Sequence, residues 1–204
     1  MNLHCRVFDR NTHYLLLLGR PIIVSAYHWY CESPSAFVVV AENGQGTVGC
    51  ATVNIGSYYA FFRKNWARIA RAFVGDPKTL FHPLVLHRLA SLLNPRRSKC
   101  QKALRGRSAY LGYLVVDGST RGKGIGGALI RAAIENCRAR GWDQLVTCLH
   151  RTNLSAYSFY QTLGFERFPQ LDSDDLIGIR ISTAGPRQNS KELKKTEAAQ
   201  TLAN

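Results

Sequence analysis

Residues 121–127 have the sequence Arg-Gly-Lys-Gly-Ile-Gly-Gly and separate a strand-like segment from a helical one. The preceding segment, Tyr110–Val116, is a continuous apolar run, which predicts a buried strand. From Gly124 to Arg140 apolar residues recur at helical spacing. Glycines leave backbone amides accessible to a ligand, and the start of a helix carries a partial positive charge. The stretch therefore predicts an anion cradle suited to a pyrophosphate; the alternative is a glycine-rich turn without a ligand.

Two common phosphate-binding loops do not fit this stretch. A Walker loop requires Gly-Lys followed directly by Ser or Thr, and here Gly124 follows Gly122-Lys123. A dinucleotide fingerprint fits poorly, because the preceding strand lies in the middle of the chain and no acidic residue ends a following strand.

The flanking segments predict further strands and helices. After the helix, Gln144–Leu149 has strand character and Ser155–Leu163 has helical character, and this order implies a crossover and a partly parallel sheet. Nearer the start of the chain, Ala36–Ala41 and Val48–Ile55 predict two strands joined by a turn that contains Asn-Gly. Two short helices are expected within Asn11–Glu32.

The charge of the chain is concentrated in one region. The 204 residues carry a net charge of +14, and residues 56–107 contribute twelve Lys or Arg against one acid, Asp76. This region predicts two apolar helices, about Tyr58–Val74 and Leu80–Leu93, followed by a basic stretch. So basic a protein is expected to meet a polyanion: a nucleic acid, an anionic membrane surface or a phosphorylated ligand.

Composition excludes several classes. A hydrophobic fraction of 46% is ordinary for a globular domain, and the six cysteines show no Cys-x-x-Cys spacing. We expect no metal site, because the histidines also lack a ligand-like spacing. No apolar run approaches the ~18 residues of a membrane-spanning helix, and no signal peptide is evident, so a cytoplasmic location is expected.

A second motif lies downstream of the glycine-rich stretch: Asn153-Leu-Ser-Ala156-Tyr-Ser-Phe159-Tyr160-Gln-Thr-Leu163-Gly164-Phe165. Together, the two motifs resemble those of the GNAT superfamily of acetyltransferases. That family has a strand ending in Val-Asp, followed by the motif (Gln/Arg)-x-x-Gly-x-(Gly/Ala) at the start of a helix. Further along the chain it has the motif Asn-x-x-Ala-x-x-Phe-Tyr-x-x-Leu-Gly-Phe. The resemblance covers about Tyr110–Phe168, and a weaker likeness connects the basic insert to members from bacterial polysaccharide and amino-sugar loci.

The resemblance implies an α/β (α+β) fold: a central mixed, mostly antiparallel sheet with two splayed parallel strands, flanked by helices. It implies acetyl-CoA as co-substrate, bound between the splayed strands, and transfer of the acetyl group to a primary amine. Tyr160 would protonate the departing thiolate. The cofactor-binding residues implied by the family are Leu114, Val115, Val116, Arg121, Gly122, Lys123, Gly124, Ile125, Gly126, Gly127 and Asn153.

A general base is not evident from the sequence. Members of the family often place a glutamate on one of the two splayed strands, and the corresponding positions here are Tyr110 and Cys148. His150 is an alternative, because an imidazole titrates near pH ~6.5. Deprotonation through water, or an amine that arrives neutral, requires no named base.

The domain is expected to span residues 1–182, with the basic insert at about 56–107 and a disordered tail at 183–204. We expect the insert to form part of the acceptor site and to favour a negatively charged amine, such as an amino-sugar nucleotide. The alternative is a binding module, in which the insert engages nucleic acid or a membrane and the acetyltransferase fold is catalytically silent.

Overall fold

Six strands form one sheet: β1 (Ala36–Asn43), β2 (Gly46–Ile55), β3 (Ser108–Val116), β4 (Gln144–His150), β5 (Glu166–Arg167) and β6 (Leu176–Ser182). Their spatial order is β1-β2-β3-β4-β6-β5. Only β3 and β4 run parallel, and every other neighbouring pair is antiparallel. The expected mixed, mostly antiparallel sheet is therefore confirmed. This computed structural model describes residues 2–8, 14–55, 59–83, 85–86 and 107–183.

Seven helices that lie wholly within the described residues accompany the sheet: α1 (Asn2–Val7), α2 (Tyr14–Leu17), α3 (Arg20–Glu32), α4 (Tyr59–Lys64), α5 (Trp66–Gly75), α6 (Ile125–Ala139) and α7 (Leu154–Thr162). Three 3₁₀ turns lie at Pro77–Phe81, Gly118–Thr120 and Pro169–Leu171. The predicted helices after Gly124 and around Ser155 are confirmed within a residue or two. No described helix combines the length and the apolar character that crossing a bilayer requires.

The sheet is packed on both faces. On one face, α6 and α7 bury the main core, which includes Leu129, Ile130 and Ala133 of α6 against Leu111 and Leu145 of the strands. On the other face, α2, α3 and α4 form a second core against β1. β3 and β4 meet in the middle of the sheet, between these two layers.

Two predictions in the insert need correction. The expected helix Tyr58–Val74 is interrupted at Asn65, whose buried amide Nδ2 donates to the Phe61 carbonyl at 3.0 Å. An asparagine that bonds to the preceding turn in this way competes with the helical backbone. The second predicted helix does not begin at Leu80, because a 3₁₀ turn occupies Pro77–Phe81 and helical structure starts at Pro83. Proline favours the first position of a helix.

Other parts of these predictions fall outside the described residues. They are the remainder of the second helix and the basic stretch, within 87–106, and the tail from 184 onward.

Candidate functional site

The two parallel strands separate after a short paired section, as the resemblance implied. β3 and β4 pair only from Ser108 to Tyr110 on one strand and from Gln144 to Val146 on the other. Beyond that point β3 stays paired with β2 as far as Val116, and β4 stays paired with β6 as far as His150. Each strand is thus held by its outer neighbour while the inner edges diverge. Backbone N–H and C=O groups on such edges are available to a ligand.

Side-chain hydroxyls stabilise the fork at the point where the strands part. Thr147 is buried, and its Oγ1 donates to the Leu111 carbonyl at 3.0 Å. A β-bulge at Gly112 shifts the β2–β3 register between Leu111 and Tyr113, and the Tyr113 amide donates to Oγ1 of Thr52 at 2.9 Å. Neither threonine was predicted, because each acts through a strand that is distant in the sequence. The single signal for the bulge is the glycine within the apolar run.

The loop after β3 presents a continuous row of backbone donors. Among the described residues, the amides of Gly122 to Gly127 donate no hydrogen bond, and the first amide of α6 with a backbone acceptor is Ala128, which donates to Gly124. No side chain caps the helix, and no acidic residue lies in its first turn. Arg121 and Lys123 are exposed beside this row. The loop therefore concentrates unpaired N–H groups, a helix dipole and two cations in one place.

The glycines of this loop serve two different purposes. Gly122 and Gly124 have φ of +78° and +76°, and a Cβ at either position would meet nothing within 4 Å. They allow a left-handed backbone and leave open space above the amides. A Cβ on Gly126 would instead lie 3.3 Å from Cζ of Phe159 and 3.8 Å from Cγ2 of Val116. Gly126 is therefore needed for the close packing of α6 against α7 and the end of β3.

Asp117 anchors the start of the loop. Its carboxylate accepts hydrogen bonds from the Ser119 amide at 3.0 Å and from the Ser119 hydroxyl at 2.8 Å. Arg6 of α1 pairs with the same carboxylate at 3.0 Å. The Ser119 hydrogen bonds, followed by the charges of Arg6 and Arg121, lower the pKa of Asp117. The Val-Asp ending of the strand thus fixes the loop's entry and connects it to the N-terminal helix.

Tyr160 lies on α7 with its ring between Phe159 and Phe165, at centroid distances of 5.1 and 5.0 Å. The residue is only 6% exposed, and its hydroxyl has no hydrogen-bond partner within the described part of the chain. Burial raises its pKa above the ordinary value of a tyrosine. The phenol is therefore held in the protonated form that a proton donor requires.

Asn153 has a structural role that is visible in the fold. Its side-chain Oδ1 accepts a hydrogen bond from the Ala156 amide at 3.1 Å, so it caps the N-terminus of α7. The residue is exposed at the end of the connection from β4, and its Nδ2 remains available for another contact. The predicted contact between Asn153 and a cofactor stays a prediction.

The three positions considered for a general base differ in their surroundings. Tyr110 and Cys148 pack together with Val146, Phe168 and Leu171 in a small cluster. The Cys148 thiol donates to the Leu171 carbonyl at 3.8 Å, which fits a packed strand cysteine. His150 is exposed at the carboxyl end of β4, where the fork is open. His150 is therefore the most accessible of the three positions, and its role as a base stays a prediction.

Metal ligands are not grouped at this site. Within the residues that the structure describes, no three His, Cys, Asp or Glu side chains are arranged to hold a metal ion.

Comparisons with known proteins agree with this geometry. Residues 87–165 match the sequence model of the family described as "Acetyltransferase (GNAT) family". N-acetyltransferase 8B of Homo sapiens is 37% identical over 67 residues, which are 33% of this chain and 30% of that protein. Mycothiol acetyltransferase of Thermobispora bispora is 32% identical over 96 residues, which are 46% of this chain and 32% of that protein. The matches thus span about a third of the length of these two relatives.

Solved structures show the same fold. The crystal structure named SsHAT superposes with a TM-score of 0.56 at 21% identity, covering 87% of this chain and 86% of that one. This chain has a splayed parallel pair within an otherwise antiparallel sheet, with a donor-rich loop at its open end. Residues 87–165 of this chain thus resemble an acetyltransferase domain of the GNAT family, and the structure has the fold of such a protein.

Proposed function

We propose that this chain is an acetyl-CoA-dependent N-acetyltransferase, in which a primary amine attacks the thioester directly within a ternary complex. The observation that carries this proposal is the juxtaposition of the β3–β4 fork with the unpaired amides of 122–127. A pantetheine arm has amides that pair with strand edges, and a pyrophosphate accepts hydrogen bonds from a row of N–H groups.

The residues present fit this co-substrate. The space above Gly122 and Gly124 is open, so the amides beneath it are accessible to an anion. The positions facing the fork on β3 are Leu114, Val115 and Val116, which are half-buried or buried and carry no competing polar side chain. Acetyl-CoA, when bound, supplies the activated acyl group and a thiolate leaving group.

Each group of the chain then has a role. The amides from Gly122 to Gly127 bind the pyrophosphate, and Arg121 and Lys123 add charge-assisted contacts. The exposed edge of Leu114–Val116 orients the pantetheine arm, and a backbone N–H near Val115 polarises the thioester carbonyl. The available amide of Asn153 contacts the arm from the start of α7.

Tyr160 acts as the general acid in this proposal. Charge develops on sulfur as the thioester breaks, and a phenol that is held protonated by burial can donate to that charge. No covalent enzyme intermediate is needed, and Cys148 remains a packing residue. The proton of the attacking amine leaves through His150 or through water at the open end of the fork.

The acceptor in this proposal is a primary amine, and the proposal does not depend on the charge of the rest of the acceptor molecule. The sequence predicts an acidic acceptor from the charge of residues 56–107. In the described part of that insert, Arg68 donates to Ser25 and Asn65, both at 3.1 Å, and Lys64 pairs with Glu32 at 3.4 Å. These cations border a groove of about 530 Å³ between α3 and α5. The acidic-acceptor prediction stays a prediction.

A panel of amines incubated with acetyl-CoA tests the proposed function. Release of free CoA thiol should depend on both protein and amine, and the acetylated amine should appear in equal amount by mass spectrometry. The panel should include amino-sugar nucleotides, polyamines and peptides with free N-termini. If acetyl-CoA binds but no amine is acetylated, the catalytically silent binding module becomes the better account.

A further inference from the structure

The helix α5 is amphipathic, yet the protein buries none of its residues. Its partly covered side is formed by Ile69 and Phe73, which pack against the core around α3. The row of side chains next to this side is also apolar. Trp66, Ala70 and Val74 follow one another at four-residue spacing, which places them in one row along the helix surface.

This row is strongly exposed. Trp66 is 68% exposed and Val74 is 80% exposed, although each is large and apolar. In the 3₁₀ turn that follows α5, Phe81 is 76% exposed. Five of the seven exposed large hydrophobic residues in the described part of the chain lie between residues 66 and 86. Such clustering marks an interaction surface, whereas single exposed apolar residues are ordinary.

Cations lie before, within and after the apolar row in the sequence. Arg63, Arg71 and Lys78 are exposed, and none of them forms an ion pair with an acid of the described residues. The single acid in this region, Asp76, accepts a hydrogen bond from the Thr79 hydroxyl at 3.1 Å. The next twenty residues of the sequence, 87–106, add six Lys or Arg and no acid.

We propose that the surface formed by Trp66, Ala70, Val74 and Phe81, with Arg63, Arg71 and Lys78 around it, docks on an anionic lipid bilayer. A basic helix with aromatic and aliphatic residues on one side binds in the interface by burying the apolar side and placing cations among the headgroups. Tryptophan is well suited to that depth, because its ring is apolar and its indole N–H is polar.

The side chains favour lipid over nucleic acid. Cations and aromatic rings serve both partners, because nucleic acids attract the charge and bases stack on rings. Val74 and Leu80 are aliphatic, however, and their exposed surface gains from an acyl layer but not from a phosphate backbone. Charge complementarity and aliphatic exposure therefore point together to a bilayer with anionic headgroups.

This docking surface is separate from the proposed catalytic fork. α5 packs on α3, and α3 packs on β1 at the edge of the sheet. The fork lies between β3 and β4, two strands further into the sheet. The inference therefore does not depend on acetyl transfer, and acetyl-CoA is not needed to test it.

Tryptophan fluorescence of the full chain tests the proposal directly. The chain has three tryptophans, and Trp29 and Trp142 are only 7% and 8% exposed. Emission that changes on adding vesicles therefore reports Trp66. With vesicles containing about one third phosphatidylserine, we expect a blue shift and protection from acrylamide, both weakened by added salt. Vesicles of phosphatidylcholine alone should give much smaller changes.

Variants separate the apolar and the charged contributions. Trp66→Phe should abolish the emission change while vesicle co-sedimentation persists. The double variant Val74→Ser with Phe81→Ser should weaken co-sedimentation by at least about tenfold, and Val40→Ser, an exposed apolar control on β1, should leave it unchanged. Arg71→Glu with Lys78→Glu should weaken it similarly, whereas Lys194→Glu with Lys195→Glu, an equal change in net charge, should not.

Three results would overturn the proposal. The first is an unchanged Trp66 signal with anionic vesicles. The second is blue emission and acrylamide protection of Trp66 in the free protein, which would mean that another segment, such as 87–106, covers the row. The third is a change in Trp66 emission that is larger with RNA than with vesicles. That change would be lost in the double variant Arg71→Glu with Lys78→Glu and kept in the double variant Val74→Ser with Phe81→Ser.

Discussion

Tyr160 combines a packed ring with a hydroxyl that the described part of the protein leaves without a partner. A tyrosine whose only role is packing usually directs its hydroxyl to water or to a hydrogen-bond acceptor. Here the hydroxyl is available to a ligand, and burial raises its pKa. Both properties suit a group that stays protonated until a thiolate develops beside it.

Replacing Tyr160 with phenylalanine keeps the packing and removes the proton. We expect kcat to fall roughly 10- to 1,000-fold, because only the transition state carries charge on sulfur. Acetyl-CoA affinity, measured by calorimetry, should stay close to that of the unmodified protein. The raised pKa also predicts that kcat does not fall between pH 8 and about 10 through loss of this proton.

Tyr157 provides the matched control on the same helix. It is half-buried and packs at the border of the main core, so Tyr157→Phe removes one hydroxyl from α7 as well. Its kcat should be unchanged. Equal losses in the two variants would show that hydroxyl removal perturbs α7, and an unchanged kcat in Tyr160→Phe with chemistry rate-limiting would exclude the acid role.

At the level of elements, the start of α6 is the part that the proposal depends on most. The helix begins at Ile125 with its first amides unpaired, and Gly124 before it has a φ of +76°. The cost of that conformation is low only for glycine. The element is therefore shaped to leave donors open, although a capping side chain would stabilise the helix more.

Gly124→Val should weaken acetyl-CoA binding by at least ~2 kcal/mol, about 30-fold, because a branched side chain would occupy the open space and strain the backbone. Gly46→Val is the control, since Gly46 also has positive φ and open space but lies in the β1–β2 turn. Calorimetry on both folded variants should show a loss in Gly124→Val alone. A Gly124→Val protein that is folded and binds normally would contradict the assignment of the loop.

Features of this site that lie within one stretch of the sequence could be predicted better than features formed by residues that are far apart in the sequence. β3, the glycine loop and α6 follow one another in the chain, and their order and spacing were sufficient to predict them. β6 was not predicted, although Ile177, Ile179 and Ile181 alternate with the period of two that is typical of a strand. The hydrogen bond from Thr147 to Leu111 had no local signal, because it depends on where two strands part.

For the whole molecule, several ionisable groups are buried in their neutral forms. Burial raises the pKa of the Cys137 thiol to about 12, and it also raises the pKa values of Cys50, Tyr27 and Tyr160. Tyr27 and Cys50 lie within hydrogen-bond distance of each other, at 3.5 Å, on the face opposite α6. Because of these groups, we expect the free energy of unfolding to decrease at alkaline pH.

The free energy of unfolding should fall as the pH rises above about 9, the ordinary value for a cysteine thiol. Below that pH both states are protonated, so the stabilisation is fully present. Above it the unfolded chain loses protons that the folded protein keeps until about pH 12, so unfolding becomes easier. Each such group contributes at most about 1.4 kcal/mol per pH unit.

Urea unfolding at several pH values measures this slope. Cys137→Ala should make it shallower, whereas Cys31→Ala, which removes an exposed thiol, should leave it unchanged. The slope is the quantity to compare, since Cys137→Ala also loses packing at every pH. Identical slopes in both variants and the unmodified protein would show that Cys137 is not protected in the folded state.

The central claim is that the amides between Gly122 and Gly127 bind the phosphates of CoA at the open end of the β3–β4 fork. Amide NMR of the isotope-labelled protein during a CoA titration tests it most directly. We expect large downfield shifts and slowed exchange for the amides of Gly122, Gly124, Gly126 and Gly127, with smaller changes along Leu114–Val116. Saturable CoA binding that leaves these amides unchanged and shifts residues of α3 and α5 instead would contradict it.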